Sequence, residues 1–292
     1  MRVTVRVPAT AANLGPGFDT FGLALDLWNE VTVDTTGPAS VRWEGEGADE
    51  LPVDGSDLIG RVMGAVAGRM SLPIAPHGRT ARNAIPLARG LGSSSAATVA
   101  GICLASALLD LGIHDDPHSV FALASEIEGH PDNAAAAAFG GFTIALPEGG
   151  VRRLEPHAAL RPVVFIPDVR TSTAEARVKL PETVPMADAV SNVAHAALAV
   201  EAFTRDPSLL PLALVDRLHE DARLSAVPDV AAVVRELRRS HVPVCVSGSG
   251  PSLLAFERDD REPLSLEAAN APASWRILRP EVRASGYEVD AA

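Results

Sequence analysis

Four short stretches of this 292-residue chain combine residue types suited to phosphate, a cation and a charged small molecule. In Pro86-Leu-Ala-Arg-Gly-Leu-Gly-Ser-Ser-Ser-Ala-Ala97, glycines at 90 and 92 precede three serines. Glycine lets the backbone turn tightly and leaves amides uncovered, and serine favours a helix start. Free N–H groups at a helix start, with the positive dipole end, bind phosphate without a lysine. The plain alternative is a flexible loop capped by serine. Val7-Pro-Ala-Thr-Ala-Ala-Asn-Leu-Gly-Pro-Gly-Phe-Asp19 runs a strand into a polar loop with Asn13 and Asp19 at its rim. It reads equally as a turn in which both residues satisfy local backbone. Val246-Ser-Gly-Ser-Gly-Pro-Ser252 is either a tight hairpin or a glycine loop closing on a ligand. Glu126-Ile-Glu-Gly-His-Pro-Asp-Asn133 gathers carboxylates, an imidazole and an amide at a helix end. Hard cations such as Mg²⁺ take carboxylate oxygen plus phosphate, and Glu126, on the helix, is better placed than Glu128 for a fixed role. The alternative there is an exposed acidic helix end, which the dipole disfavours.

Composition narrows the chemistry. Lysine occurs once, at Lys179 and outside any glycine loop, which leaves no Walker-type lysine. The 25 basic and 37 acidic residues leave a formal net charge of −12, the wrong sign for a general nucleic-acid binder. Cys103 and Cys245 form no close pair, so neither a disulfide framework nor a thiolate zinc site is expected. His114 and His118 have Pro117 between them and do not make a zinc motif. No charged start with an apolar run opens the chain, and the apolar part of its longest uncharged stretch, Ala96–Leu109, is too short to span a bilayer. A cytoplasmic protein without membrane or nucleic-acid partners is expected.

Elements that would hold these motifs are legible in the periodicity. RVTVRVP alternates as a half-buried strand, with further strands around Glu30–Thr35 and Ser40–Glu44. Ser56 or Asp57 would cap a helix carrying Leu58, Val62, Val66 and Met70. A second helix begins in the serine run and reaches Leu109; a third starts at Asp116-Pro117. Gly141–Leu146 and Arg161–Pro167 read as strands, with Glu148-Gly-Gly as a turn between them. Helical patterns then run to Ser240, followed by short apolar runs at Val242–Val246 and Ser252–Phe256 and a weakly patterned tail. Early strands and late helices predict an α+β protein of two lobes, 1–157 and 158–292, with the seam near Glu155–Leu160.

Taken in order, the four motifs resemble those of the GHMP kinases (galactokinase, homoserine kinase, mevalonate kinase, phosphomevalonate kinase). The glycine–serine run follows the family's P-x-x-x-G-L-G-S-S pattern, and SGSGPS its C-terminal glycine motif. PATAANLGPGFD and EGHPDN are most similar to the homoserine-phosphorylating branch. The resemblance implies a two-lobed α+β fold with an N-terminal ATP-binding lobe and a ferredoxin-like C-terminal lobe. It implies ATP and Mg²⁺ as cofactors and transfer to the side-chain hydroxyl of L-homoserine, giving O-phospho-L-homoserine on the way to threonine. The nucleotide-binding run would be Pro86, Leu87, Ala88, Arg89, Gly90, Leu91, Gly92, Ser93, Ser94, Ser95 and Ala96, with Gly90–Ser95 around the triphosphate. Ser94 and Glu126 would hold the metal. Asn13, Asp19, His130, Asp132, Asn133, Thr173, Arg177 and Arg223 would face the amino acid. Ser94, Glu126, Asp132 and Asn133 would be closest to the reaction, Asp132 either as a base or holding the ammonium, the role favoured here. The resemblance also suggests a homodimer.

Two departures stand out: Ser56-Asp57-Leu58 where the family often shows Asp-Asn-Leu, and His219-Glu-Asp-Ala-Arg223 where it often shows H-E-P-Y-R. The residues agree with a zwitterionic acceptor, since a carboxylate suits a guanidinium fork and an ammonium suits carboxylate oxygen. Two alternatives stay open: a GHMP kinase for another small alcohol, and a non-catalytic ligand sensor on the same fold.

Overall fold

Val3, Val5 and Val7 do lie on one buried face of a strand, β1 (Arg2–Ala12), in a computed structural model that describes residues 1–75 and 77–291. Its antiparallel partner β2 (Phe21–Asp34) runs the full length of β1, with a bulge between Pro8 and Ala9. Sequence alternation shows only the second half of β2. The first half, Phe21–Leu25, is buried on both faces and so carries no alternation. The edge strand β3 (Val41–Gly45) pairs in parallel with β4 (Gly78–Asn83), and α1 (Leu58–Arg69) connects them. Asp57 caps α1 by accepting from the Gly60 amide.

The helix of the serine run is α2 (Ser93–Leu108), and nearly every residue from Ser95 to Ala107 is buried. Its small side chains explain how neighbours cover it on all sides: a Cβ on Gly101 would come within 2.8 Å of the Val62 side chain. The next helix, α3 (Pro117–Glu128), is capped by Asp116 with Pro117 in its first turn. EGHPDN then bends into α4 (Asp132–Phe139), an alanine-rich helix without a periodic signal of its own. A hairpin of β5 (Phe142–Ala145) and β6 (Val151–Leu154) comes next; the turn expected at 148–150 serves β6, not a direct return to the next strand.

The second sheet begins at β7 (Pro162–Ile166). After it come α5 (Thr173–Val178), α6 (Met186–Thr204), α7 (Leu210–Ala213), α8 (Glu220–Leu224) and α9 (Pro228–Arg239), then β8 (Val244–Val246), β9 (Leu253–Phe256) and β10 (Arg276–Leu278). The order β10-β7-β9-β8 is the 4-1-3-2 antiparallel order of a ferredoxin-like sheet. Its usual second helix is reduced here to turns around Ser265–Asn270. Val163, Phe165, Val244, Val246, Leu253 and Ala255 point to α9, which returns Val230, Val233, Val234 and Leu237 at helical spacing. The alternate residues Val164, Ile166, Cys245, Leu254 and Phe256 join the core of the first lobe. One face of the second sheet thus belongs to the first lobe's core, while the other forms a separate core with α9.

The tail corrects the expected boundary. β11 (Glu288–Ala291) pairs antiparallel with β1, Val3 opposite Ala291, so the first sheet reads β11-β1-β2-β4-β3 with β5 and β6 beside β2. The stretch 158–292 is thus not one unit: its last residues complete the first lobe. Among the described residues, no helix is long and apolar enough to cross a membrane.

Candidate active site

A cleft of about 390 Å³ lies between the lobes. Its wall is the glycine–serine loop, which the second lobe clamps. Thr171 N donates to Ala88 O (3.2 Å), Ser252 N to Arg89 O (3.3 Å) and Ser247 Oγ to Gly90 O (2.7 Å). The Arg89 side chain donates to Pro167 O (2.9 Å) and Asp168 O (2.6 Å). From the first lobe, Thr10 N donates to Leu91 O (3.1 Å). These approaches require glycine. At Gly90 (φ +74°) a Cβ would sit 2.2 Å from Ser247 O, and at Gly92 (φ +69°) 1.9 Å from Thr10 Oγ1. Gly92 is also the N-cap of α2 and offers no side chain, so the first-turn amides have no side-chain cap. SGSGPS forms the turn between β8 and β9, and its Gly248 joins the loop after β1: Gly248 N donates to Ala12 O, and Asn13 Nδ2 to Gly248 O (2.8 Å).

One end of the cleft is rich in charge. Asn13, Asp19, His130, Asp132, Asn133, Thr173, Arg177 and Arg223 all line it. Arg177 forks onto Asp19 with bonds of 2.8 and 2.9 Å. Asp132 Oδ1 accepts from Asn133 N (2.8 Å) and lies 3.2 Å from His130 Nδ1, close enough for an ion pair though out of line for a good hydrogen bond. That carboxylate holds His130 above its ordinary pKa, against the opposing effect of burial. Asn133 Oδ1 accepts from Thr10 Oγ1 (2.7 Å). Arg223 is buried, with 7% exposure, and has no carboxylate partner among the described residues.

The other end is mostly apolar, with Val31, Trp43, Leu51, Leu58 and Leu87. Asp57 reaches it, but both of its oxygens are occupied: Oδ1 by Gly60 N and Oδ2 by the buried Arg79 guanidinium, which also lies over Trp43.

The EGHPDN carboxylates reverse their expected places. Glu126 is exposed and forks onto Arg69 at 2.8 and 2.6 Å, outside the residues lining the cleft. Glu128, the last residue of α3, is the buried one, and its Oε2 accepts from Ser95 Oγ in the first turn of α2. Burial pushes its carboxyl above the ordinary glutamate range, while the Ser95 bond and His130 oppose that shift. Glu128 Oε1 is buried and makes no hydrogen bond of good geometry, although the Thr98 hydroxyl is near enough to oppose the rise in pKa, and Glu128 too lies outside the residues lining the cleft.

The family description "GHMP kinases N terminal domain" matches residues 58–141. A homoserine kinase from Clavibacter michiganensis is 42% identical over 297 residues, covering 99% of this chain and 94% of that protein. One from Streptomyces coelicolor is 44% identical over 284 residues, covering 95% and 91%. The chain belongs to the homoserine kinase family of GHMP kinases. In structure, homoserine kinase from Cytophaga hutchinsonii superposes with a TM-score of 0.79 at 25% identity, covering 99% of this chain and 97% of that one.

Within this GHMP kinase, the eight residues expected around the amino acid line a single cleft, and Leu87–Ser94 share it. Pro86 and Ser95 stand behind that wall, and Ser95 turns to Glu128. Glu126 is the residue that does not join them. Glu128, Thr10, Arg79, Trp43 and His219 carry contacts that sequence reasoning missed. For Glu128 a signal existed: a carboxylate directly before the helix-ending Gly129 stands where the chain turns back into the protein.

Proposed function

We propose that this chain phosphorylates the side-chain hydroxyl of L-homoserine with ATP, giving O-phospho-L-homoserine on the route to threonine. One observation carries the reading: an uncapped helix start suited to phosphate shares a cleft with Asp19, Arg177 and the buried, unpaired Arg223. A buried guanidinium without a carboxylate is a standing site for an anion. An amino-acid carboxylate satisfies Arg223 and Arg177, and the ammonium satisfies Asp19. A zwitterion can thus exchange partners with the Asp19–Arg177 pair and give each of these charges, Arg223 included, a neighbour of opposite sign.

For the donor, the amides of Gly90–Ser95 and the α2 dipole receive the phosphates. A Mg²⁺ site also fits the residues present: the buried carboxylate of Glu128 stands just behind the cleft wall on Ser95, next in sequence to the cleft-lining Ser94, and its Oε1 makes no hydrogen bond of good geometry, which suits an ion that takes its other ligands from phosphate and water. We therefore read Glu128, with Ser94, as the metal-holding pair in place of Glu126. The ion supplies charge neutralisation for the transferred group. Asp132 engages Asn133 and His130 through Oδ1 alone, and Oδ2, without a partner among the described residues, is available to hold the acceptor. Through a loose transition state, positioning of hydroxyl and phosphate matters more than early deprotonation. A homodimer belongs to the same reading, and sedimentation of the purified chain tests it.

The test is a coupled assay with ATP, Mg²⁺ and an alcohol panel: homoserine, N-acetylhomoserine, 4-hydroxybutyrate, mevalonate and a hexose. Turnover of homoserine is expected, with strong loss for both analogues lacking a charged ammonium. Faster turnover of another alcohol would overturn the acceptor assignment. Nucleotide binding with no turnover of any alcohol would favour a sensor.

A further inference from the structure

His219 precedes α8 and is 1% exposed, yet it has no place in the transfer described above. Its ring stacks on Phe18 with centroids 5.3 Å apart, and the Arg223 guanidinium lies 5.5 Å from the same Phe18 ring. The two ring nitrogens have different partners. Nε2 is 2.8 Å from Gly15 O, and Nδ1 is 2.9 Å from Arg223 Nη1. A carbonyl oxygen only accepts and a guanidinium only donates. Both contacts are satisfied together by a single form, the neutral imidazole with its proton on Nε2. Either other form sets a donor against a donor at Arg223.

The consequence lies in the guanidinium. Nη1 donates to His219 Nδ1 and, at 2.7 Å, to Gly248 O, so both of its protons are used behind the cleft wall. Nη2 has no partner among the described residues, and Arg223 lines the cleft. We propose that His219 is a positioning residue: as the Nε2–H tautomer it fixes the rotation of the Arg223 fork and so aims it at the acceptor's carboxylate. This rests on the reading of Arg223 given above. Of the charged groups around the imidazole, Arg223 at Nδ1 favours the neutral form, Asp216, whose Oδ1 lies 3.6 Å from Nε2, favours the charged one, and Glu220 is engaged with Arg238 and the Val246 amide; burial and the donor at Nδ1 keep the ring neutral. Asp216 also accepts from the amides of Leu218, His219 and Glu220, which fixes where the ring starts.

Asparagine and glutamine separate the two nitrogens, since an asparagine carbonyl can replace the acceptor at Nδ1 and a glutamine amide the donor at Nε2. Steady-state kinetics with ATP, Mg²⁺ and homoserine are compared for wild type, H219N, H219Q and R223A, with thermal melting to check folding. In H219Q the KM for homoserine should rise about tenfold with the KM for ATP unchanged, and in H219N it should stay within about threefold of wild type. Equal effects of H219Q and H219N, alongside a large rise in R223A, overturn the role of His219 and leave the Arg223 reading standing. An unchanged homoserine KM in R223A defeats that reading, and the His219 role falls with it. Imidazole ¹⁵N NMR on the wild-type protein is independent of variant folding. It should show protonated Nε2 and bare Nδ1 at neutral pH, and a proton on Nδ1 refutes the proposal.

Discussion

Glu126 and Glu128 sit two positions apart on α3, about 200° around the helix axis, so one faces solvent when the other faces the protein. That rotation divides their roles. Glu128→Gln should cut turnover about a hundredfold or more by weakening metal placement at the phosphates. The same change should raise the melting temperature of the nucleotide- and Mg²⁺-free protein at neutral pH. A buried carboxyl whose pKa is raised favours folding while it is protonated, and that stability is lost as pH climbs through its folded pKa. Glutamine keeps the neutral form at every pH. Glu126→Gln, which removes only an exposed fork to Arg69, should leave turnover and melting near wild type. Kinetics and melting curves of the two variants side by side decide this, and turnover that drops in Glu126→Gln alone would restore the sequence-based expectation. Asp132→Asn tests the other carboxylate. If Asp132 holds the acceptor, homoserine affinity suffers most and saturating homoserine recovers much of the rate. A turnover loss of about 10²–10⁴-fold with unaltered homoserine affinity, measured by direct titration, would identify a general base instead.

At the level of elements, α1 is pinned to the cleft by an ion pair rather than by its apolar face alone. Asp57 caps the helix and neutralises Arg79 from β4, with both side chains at most 2% exposed. Removing one member strands the other charge in the interior. Asp57→Ala should therefore destabilise the chain by about 3–5 kcal/mol, to which the lost cap adds about 1 kcal/mol. The double change Asp57→Ala/Arg79→Met should recover much of that loss, because the stranded charge is gone. Urea titration followed by circular dichroism measures both, and a mild Asp57→Ala that the double change does not improve would mean that Arg79 reaches water. In sequence, Asp57 is legible as a cap, because capping is a matter of adjacent residues. Its pairing with Arg79 is not, because the partner arrives from a strand 22 residues away.

Across the whole molecule, the second sheet shows one face to α9 and the other to the first lobe, so it stands between two cores and ties the lobes together. Acid should act on this unit through its buried imidazole at the lobe junction. Burial holds the His219 pKa below the ordinary 6.5, opposed mainly by Asp216, and Arg223 adds to the lowering. As pH falls through 6.5 the unfolded chain gains a proton that the folded chain refuses, so stability drops on the acid side. Between about pH 7.5 and 5.5 the melting temperature should fall more steeply for wild type than for H219N, which has nothing to protonate at that position. Parallel curves would show that His219 takes up its proton in the folded state.

The chain's local signals determined a good deal by themselves. Glycines at 90 and 92 ahead of serines marked the start of α2, Asp116-Pro117 marked that of α3, and alternating valines marked β1, since turns, caps and periodicity act between neighbours in the chain. The family resemblance carried by the motifs also named eight residues that line the cleft. The tertiary structure decided the rest. The first half of β2 lost its alternation because both faces are covered, and β11 found β1 across nearly the full length of the chain. Glu128 became the buried carboxylate because Ser95 of α2 stands opposite the end of α3. Each of these depends on which distant surface arrives at a given face, and hydrophobic burial, which brings surfaces together, is non-directional and leaves no local mark of the partner.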